Sequence, residues 1–248
     1  MAKRLGPDRG VQPARLATPS VPETAAQALR NAIISGELKS GERIIEQTWA
    51  ARFGIGQPTL REALKELEYQ GFLVKVPHRG TRVAQLGAGD FRRILEVRLP
   101  LEAMAIAKAS VNMTSEAERL MKALVSQMAM AGECGDLIRF HECDVAFHRE
   151  IWRLADNEYL RIPLEALCFR LFVFSVIGRS KEWFRDAVKQ HVEILRGLCS
   201  RDPDIAQETF LSETVQYWNA KYKLGLAPYW PSPAVHGSPP AGRKRKKL

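Results

Sequence analysis

Residues 53–71 read FGIGQPTLREALKELEYQG, and this stretch decides the fold of the first part of the chain. Gly54 and Gly56 permit a tight turn around Ile55. A longer helix follows, with Pro58 predicted at its first position, where no backbone N–H is needed. Its apolar residues recur at spacings of three and four, as Leu60, Ala63, Leu64 and Leu67. The stretch therefore predicts the second half of a helix-turn-helix.

The other face of this predicted helix is polar and carries Gln57, Thr59, Arg61, Lys65 and Glu68. A helix N-terminus with short polar groups and an arginine suits contacts to phosphates and base edges in a major groove. The three glutamates of the segment are equally compatible with a solvated helix held by salt bridges. The flanking sequence distinguishes a DNA-recognition helix from a solvated helix held by salt bridges.

The flanking sequence supplies the other parts of a DNA-binding fold. Residues 25–35 and 46–53 have helical periodicity, and residues 72–76 and 81–85 are strand-like runs joined by a Pro-His-Arg-Gly turn. Three helices followed by a two-stranded wing predict a winged helix-turn-helix domain over residues 23–85.

The net charge of +9 is concentrated at the two ends of the chain. Residues 1–22 carry a net charge of +3 and residues 225–248 a net charge of +5. Both segments are rich in proline and lack periodicity, so each is predicted to be a disordered basic tail. The tails would attract DNA phosphates without sequence preference. The prediction of DNA binding therefore rests on the helix-turn-helix pattern and not on the net charge.

Residues 90–223 are predicted to form an all-helical domain. Ser115 with Glu118 predicts one capping box, and Asp202 before Pro203 predicts another helix start. The candidate helices lie near residues 88–111, 115–131, 136–155, 158–177, 183–200 and 203–223. The fold class is therefore mainly α, with an N-terminal winged helix-turn-helix domain and a C-terminal helical bundle.

Cysteine usage and hydropathy predict a cytoplasmic protein. No C-x-x-C pair occurs among the four cysteines, so we expect reduced thiols. No apolar run approaches 18 residues and the N-terminus has no apolar signal region, so we expect no membrane association. The four cysteines are Cys134, Cys143, Cys168 and Cys199.

Asp144 and His148 are the residues of the helical domain most suited to chemistry. They are four residues apart, so they share a helix face and can bind one metal ion. A hydrogen bond between them on a helix surface is the alternative. His191 lies among apolar residues of a later amphipathic helix, so it is expected to point inward, where an imidazole needs a partner.

The run from residue 33 to residue 84 resembles the DNA-binding domain of GntR-type bacterial transcription regulators. The matching motifs are G-x-L-x-x-G-x-x-I-x-E at 36–46, L-R-E-A-L-x-x-L-E-x-x-G at 60–71 and R-G-x-x-V at 79–83. The family usually has Ser-Arg-Thr-Pro where this chain has Gly-Gln-Pro-Thr at 56–59. The resemblance implies contacts to double-stranded operator DNA from the recognition helix and the wing tip, namely Gln57, Thr59, Arg61, His78, Arg79 and Gly80.

Residues 91–218 resemble the FCD effector domain of FadR-type GntR regulators. The matching motifs are R-x-x-L-E at 98–102, D-x-x-F-H at 144–148 followed by Asn157, and H-x-x-I-L at 191–195. In many members of this family an Asp and three His bind a divalent ion. Asp144, His148 and His191 match three positions, and Glu213 stands at the expected fourth.

The resemblance therefore implies a site for Zn²⁺, Mn²⁺ or Ni²⁺, which two histidines and two carboxylates can ligate. Alternatively, the site has lost its metal and Glu213 pairs with a protonated histidine or an arginine. The family typically senses small organic acids, and Arg98 is the candidate clamp for the acid's carboxylate. A helical pair between Arg98 and Glu102 is the other role that the spacing allows.

The sequence thus predicts a ligand-responsive transcription regulator, a repressor by resemblance, that binds a pseudo-palindromic operator as a homodimer. It would lie in the cytoplasm, associated with the nucleoid when bound to DNA. Two other classes remain open. One is a metal-dependent hydrolytic enzyme on the helical bundle. The other is an architectural DNA-binding protein that senses nothing.

Overall fold

The computed structural model describes residues 19–176 and 179–226, except the side chains of residue 170 and residues 172–176. Most of the two predicted tails lies outside these residues. The described residues form nine helices and two strands, which agrees with the predicted fold class.

The N-terminal head contains three helices. The first begins two residues earlier than the predicted domain start, because Ser20 and Glu23 form a capping box. The third begins at Gln57, one residue earlier than predicted, and Pro58 lies within its first turn. Gly54 adopts a left-handed conformation in the turn (φ 64°), as a tight turn requires. The helices are α1 Val21–Ile34, α2 Glu46–Phe53 and α3 Gln57–Tyr69.

A two-stranded antiparallel wing follows α3. Strand β1, Leu73–Val76, pairs with β2, Gly80–Val83, and Leu73 lies opposite Val83. Both of these side chains are buried and close the core of the head. The turn between the strands places His78 at a φ of 60°.

The C-terminal part is built from six helices. Helix α4 is central and packs against α6, α7, α8 and α9, while α5 packs against α6 and α8. Thr114 rather than Ser115 caps α5, because the Thr114 side chain accepts from the Ala117 N–H. Asp202 caps α9 as predicted. The helices are α4 Ala88–Val111, α5 Ser115–Cys134, α6 Leu137–Leu154, α7 Glu158–Val176, α8 Lys181–Cys199 and α9 Pro203–Tyr222.

The four cysteines are free. In the part of the chain that the structure describes, no helix is both long and apolar enough to cross a membrane.

Candidate metal centre and nucleic-acid interface

Three ligating side chains meet inside the helical domain. Asp144 and His148 come from α6 and His191 comes from α8, and all three are buried. One ligand atom of each lies within 4.8 Å of the others. The structure thus brings together three of the four residues predicted as metal ligands.

His148 is oriented by a carboxylate behind it. Its Nδ1 lies 2.6 Å from Oε1 of Glu102 on α4, and its Nε2 lies 3.8 Å from Asp144 Oδ1. Burial lowers the pKa of His148, although Glu102 acts in the opposite direction, and this favours the neutral ring. A neutral imidazole whose outer nitrogen is held by a carboxylate is the usual form of a metal-ligating histidine.

Glu102 in turn forms a buried ion pair with Arg98, whose Nε lies 2.5 Å from Glu102 Oε2. Burial alone raises the pKa of the Glu102 carboxyl, but Arg98 and His148 outweigh it and bring the pKa to about 2. Arg98 therefore has the role that the sequence left as an alternative, a helical pair with Glu102. It also lines the cavity beside the three ligands.

In a neutral His191 ring, the lone pair of Nε2 faces a carboxylate oxygen of Asp144. Its Nδ1 lies 2.7 Å from the Ala187 carbonyl oxygen, which can only accept, so Nδ1 carries the ring proton and donates. In a neutral ring this leaves Nε2 as an acceptor, only 2.8 Å from Asp144 Oδ1. Two acceptors at this distance need a second ring proton or a cation between them.

The charges of the buried group also favour a cation. One guanidinium, Arg98, stands with two carboxylates, Glu102 and Asp144, so the group carries one net negative charge when both imidazoles are neutral. Burial raises the pKa of the Asp144 carboxyl, but hydrogen bonding and charge from His191 lower it below its ordinary value. An oxygen ligand with two nitrogen ligands fits a divalent transition-metal ion.

Glu213 does not join this group among the residues that the structure describes. It is half-buried on α9, whereas the next residue, Thr214, is buried and accepts from Gln190 Nε2 at 3.2 Å. Successive helical residues point about 100° apart, so a shift of one position moves a side chain off the inner face. The prediction of Glu213 as fourth ligand is therefore not supported by its position.

A cavity adjoins the three ligands. Its volume is about 30 Å³, which is room for about two water-sized groups. Sequence reasoning missed several of its residues, although Gln190 was detectable as a polar residue directly beside His191 on the buried face of α8. The lining includes Arg98, Phe140, Trp183, Gln190, Tyr217 and Trp218.

The predicted DNA-contact residues of α3 lie at its N-terminal end. Gln57 is exposed, Thr59 is half-buried and the Arg61 side chain is 58% exposed. Arg61 Nε donates to Glu46 of α2 at 2.7 Å. An exposed pair of this kind contributes little stability, so Arg61 can exchange Glu46 for a phosphate.

The predicted wing-tip residues are also at the surface. His78 and Arg79 are exposed, and Gly80 adopts a φ of 79° that favours glycine. The Arg43 side chain lies beside Gly80, 3.4 Å from the place a Cβ would occupy. Arg43 was missed from the sequence, because only the pairing of its backbone with Arg82 brings it to the wing.

Comparison with known families assigns both halves of the chain. The family model described as "Bacterial regulatory proteins, gntR family" matches residues 22–83. The family model of the FCD domain matches residues 93–212. The first match contains the head, and the second contains all three clustered ligands.

Individual relatives agree with these matches. A probable D-xylose utilization operon transcriptional repressor from Paenarthrobacter nicotinovorans is 30% identical over 198 residues, which are 78% of this chain and 87% of the relative. The gluconate operon transcriptional repressor of Bacillus subtilis is 29% identical over 65% of this chain and 67% of that protein. The structure of E. coli McbR/YncC has the same fold, with a TM-score of 0.69 and 22% identity over 83% of this chain and 99% of that chain.

The buried pair can be tested by a double-mutant cycle. We expect Arg98→Met to lower the free energy of unfolding by about 3 kcal/mol or more, because it leaves the Glu102 carboxylate uncompensated. Adding Glu102→Gln should restore about 1 kcal/mol of that loss, since the two side chains are coupled. Urea denaturation followed by circular dichroism measures both effects. Losses that simply add in the double variant would contradict the coupling.

Proposed function

Because this chain belongs to the GntR family of bacterial regulatory proteins and carries an FCD domain, we propose that it is a repressor controlled by a small organic acid. Its matched relatives are transcription regulators and not enzymes, which removes the hydrolytic alternative. The contact between His191 and Asp144 carries the finer part of the proposal, because a cation bound there would satisfy both of its acceptors.

The cation would be a divalent ion, Zn²⁺, Mn²⁺ or Ni²⁺, held by Asp144, His148 and His191. Bound there, such an ion acts as a Lewis acid that accepts carboxylate oxygens. Three protein ligands leave coordination positions open for an acid, as in metal sites that bind exogenous ligands. The Glu102 carboxylate would hold the His148 ring in place for this role.

Charge explains why the ion and the acid would bind together. The buried group has one net negative charge with neutral imidazoles, which disfavours an incoming carboxylate. A divalent ion changes this to one net positive charge, which a monocarboxylate then neutralises. Arg98 lines the cavity and would face the acid while it remains paired with Glu102. The acid would therefore bind only after the metal.

The head would bind operator DNA through α3 and the wing. The N-terminal end of α3 carries Gln57 and Arg61 at the surface, and the wing turn presents His78 and Arg79. Helix N-termini and arginines suit phosphate contacts, and side chains at this end of a recognition helix reach base edges. Operator binding would take place in the cytoplasm, where the nucleoid lies.

A homodimer on a pseudo-palindromic operator is supported by an apolar stripe on α4. Val97, Met104 and Val111 recur every seven residues along this helix, and their exposed fractions are 51%, 45% and 62%. Residues at this spacing share one helix face. A stripe of large exposed apolar side chains marks an association surface. We propose that α4 packs against its counterpart in a second copy.

Helix α6 would link the acid site to the DNA-binding head. It holds His148 inside the domain, and the next residue, Arg149, lines a cleft together with Tyr69 and Gln70 at the end of α3. Arg149 also bonds Glu165 of α7 at 3.2 Å and lies over the Phe169 ring. A shift of α6 on acid binding would thus move groups that adjoin α3, and so alter the spacing of the two heads.

The metal centre predicts a bound ion that depends on His148. We expect the purified protein to carry one divalent ion per chain, and His148→Ala to lose it. Chelator should lower the melting temperature of the wild type but not that of His148→Ala, because an ion that binds the folded state stabilises it. Inductively coupled plasma mass spectrometry and thermal melts measure this, with the exposed wing-tip variant His78→Ala as control. A wild type without ion and without chelator sensitivity contradicts the metal centre.

The wing predicts a phosphate contact from Arg79. We expect Arg79→Ala to weaken binding to a duplex selected with the wild type and to reduce the slope of log K against log salt by about one per chain. Arg92→Ala on α4 removes an exposed arginine outside the head and should leave the slope unchanged. Fluorescence anisotropy over a salt series measures both. Equal slopes for all three proteins would remove Arg79 from the interface.

The α4 stripe predicts that Met104 lies at the dimer interface. We expect Met104→Glu to convert the dimer to a monomer, because it would bury a carboxylate against the same residue of the partner copy. Met130→Glu changes a methionine on α5 that is exposed as well, at 59% against 45% for Met104, and should leave the dimer intact. Sedimentation velocity measures both. A Met104→Glu protein that stays dimeric places the interface elsewhere.

A further inference from the structure

Two buried hydrogen-bond donors beside the candidate metal centre have no acceptor among the described residues. Trp183 Nε1 and the Tyr217 hydroxyl are both inaccessible to solvent and have no hydrogen-bond partner among the described residues. Buried donors without acceptors are rare in folded proteins, because water satisfied them before folding. Each therefore needs an explanation, and a ligand acceptor is one.

Both residues lie in the wall of the cavity that adjoins Asp144 and His191. Trp183 belongs to α8 and Tyr217 to α9, and their rings meet edge to face with centroids 6.1 Å apart. Trp183 and His191 are eight residues apart on α8, which places them on the same face about two turns apart. Trp183, with Tyr217 in contact with it, is thus displaced along α8 from the ligand His191.

The neighbouring polar groups are already engaged. Gln190 donates to Thr214, and Arg98 is paired with Glu102. Arg179 lies over the Trp183 ring, 5.8 Å from its centroid, but it is exposed and donates to the Tyr222 hydroxyl. The two unused donors are therefore the groups best placed to read a polar atom of a ligand in this cavity.

Charge decides what kind of acceptor fits them. The metal-loaded group carries one net positive charge, which the first carboxylate of an acid neutralises. A second carboxylate would bring an uncompensated negative charge into a buried site whose two donors are neutral. Burial also raises the pKa of the Tyr217 hydroxyl, which therefore stays protonated and able to donate. A neutral oxygen, as in a hydroxyl or carbonyl group, satisfies both donors without this penalty.

We propose that Trp183 and Tyr217 select the effector, and that it is a monocarboxylic acid with a hydroxyl or carbonyl oxygen remote from its carboxylate. The carboxylate end would lie at the metal and Arg98, and the remote oxygen would accept from Trp183 Nε1 and the Tyr217 hydroxyl. This inference rests on the proposed acid-sensing function.

The test uses acids that differ at one end. Metal-loaded, full-length protein is titrated by calorimetry with butyrate, 4-hydroxybutyrate, 4-oxopentanoate and succinate. We expect the hydroxy and oxo acids to bind about tenfold or more tightly than butyrate, because a site built to donate to an oxygen rejects an analogue that lacks it. Succinate should bind more weakly than 4-hydroxybutyrate.

The variant Tyr217→Phe removes only the hydroxyl, and Tyr159→Phe does the same at an exposed tyrosine. We expect Tyr217→Phe to weaken 4-hydroxybutyrate binding at least about fivefold and to leave butyrate binding unchanged. Its melting temperature without acid should stay equal or rise, because the hydroxyl has no partner to lose. Tyr159→Phe should behave as wild type.

The possible failures can be told apart. If the acids bind without regard to the remote oxygen, or if Tyr217→Phe weakens butyrate equally, the selector role is overturned while acid sensing stands. A lower melting temperature of Tyr217→Phe without acid would also overturn it, because the hydroxyl would then be structural. If none of the four acids binds the metal-loaded wild type, acid sensing and the selector role fall together.

Discussion

The proposed ion site of the helical domain depends on the short contact between Asp144 and His191. A carboxylate oxygen and an imidazole nitrogen lie 2.8 Å apart in a buried site, and the Ala187 carbonyl already uses the ring proton on the other nitrogen. Such a pair is stable only with positive charge between its members. Hydrogen-bond accounting thus requires positive charge at this contact, either from a second ring proton or from a bound cation.

The remaining buried charges hold this contact in place. Glu102 reaches from α4 to His148 on α6, and Arg98 balances Glu102 one turn away on the same helix. Helix α4 also packs against α8 and α9, so one element braces the helices that carry the ligands and the cavity wall. Removing one member of such a network leaves a buried charge unpaired. The site is therefore preorganised by the same helices that build the core.

In the DNA-binding head, by contrast, the charged side chains are exposed and weakly paired. Arg61 pairs with Glu46 at the surface, and Arg79 stands exposed at the tip of the wing. Exposed pairs contribute little and exchange readily, so these arginines can turn to phosphates at small cost. The apolar residues of α3 hold the recognition helix rigidly from behind, with Leu60 and Leu67 fully buried. A firmly packed helix α3 with weakly paired arginines at the surface suits reversible binding to DNA.

The sequence by itself determined the elements, and most of their ends, because these depend on neighbours a few residues apart. Helical periodicity, the glycine turn at residues 54–56 and the Asp202 cap are local signals, and the structure agrees with them. The four-residue spacing of Asp144 and His148 likewise identified two of the three ligating side chains that cluster in the helical domain. Where the local signals competed, as between Ser115 and Thr114 for one cap, the prediction was wrong by one residue.

Only the tertiary structure decided what these elements bring together. Glu102 meets His148 from 46 positions away in the chain, and the docking of α4 on α6 creates that contact. The rotation of α9 turns Thr214 rather than Glu213 inward, which a count along the sequence could not resolve at about 100° per residue. Trp183 and Tyr217 line one cavity only because α8 packs against α9. Packing between helices distant in the chain sets these relations, because the orientation of one helix on another depends on all the side chains between them.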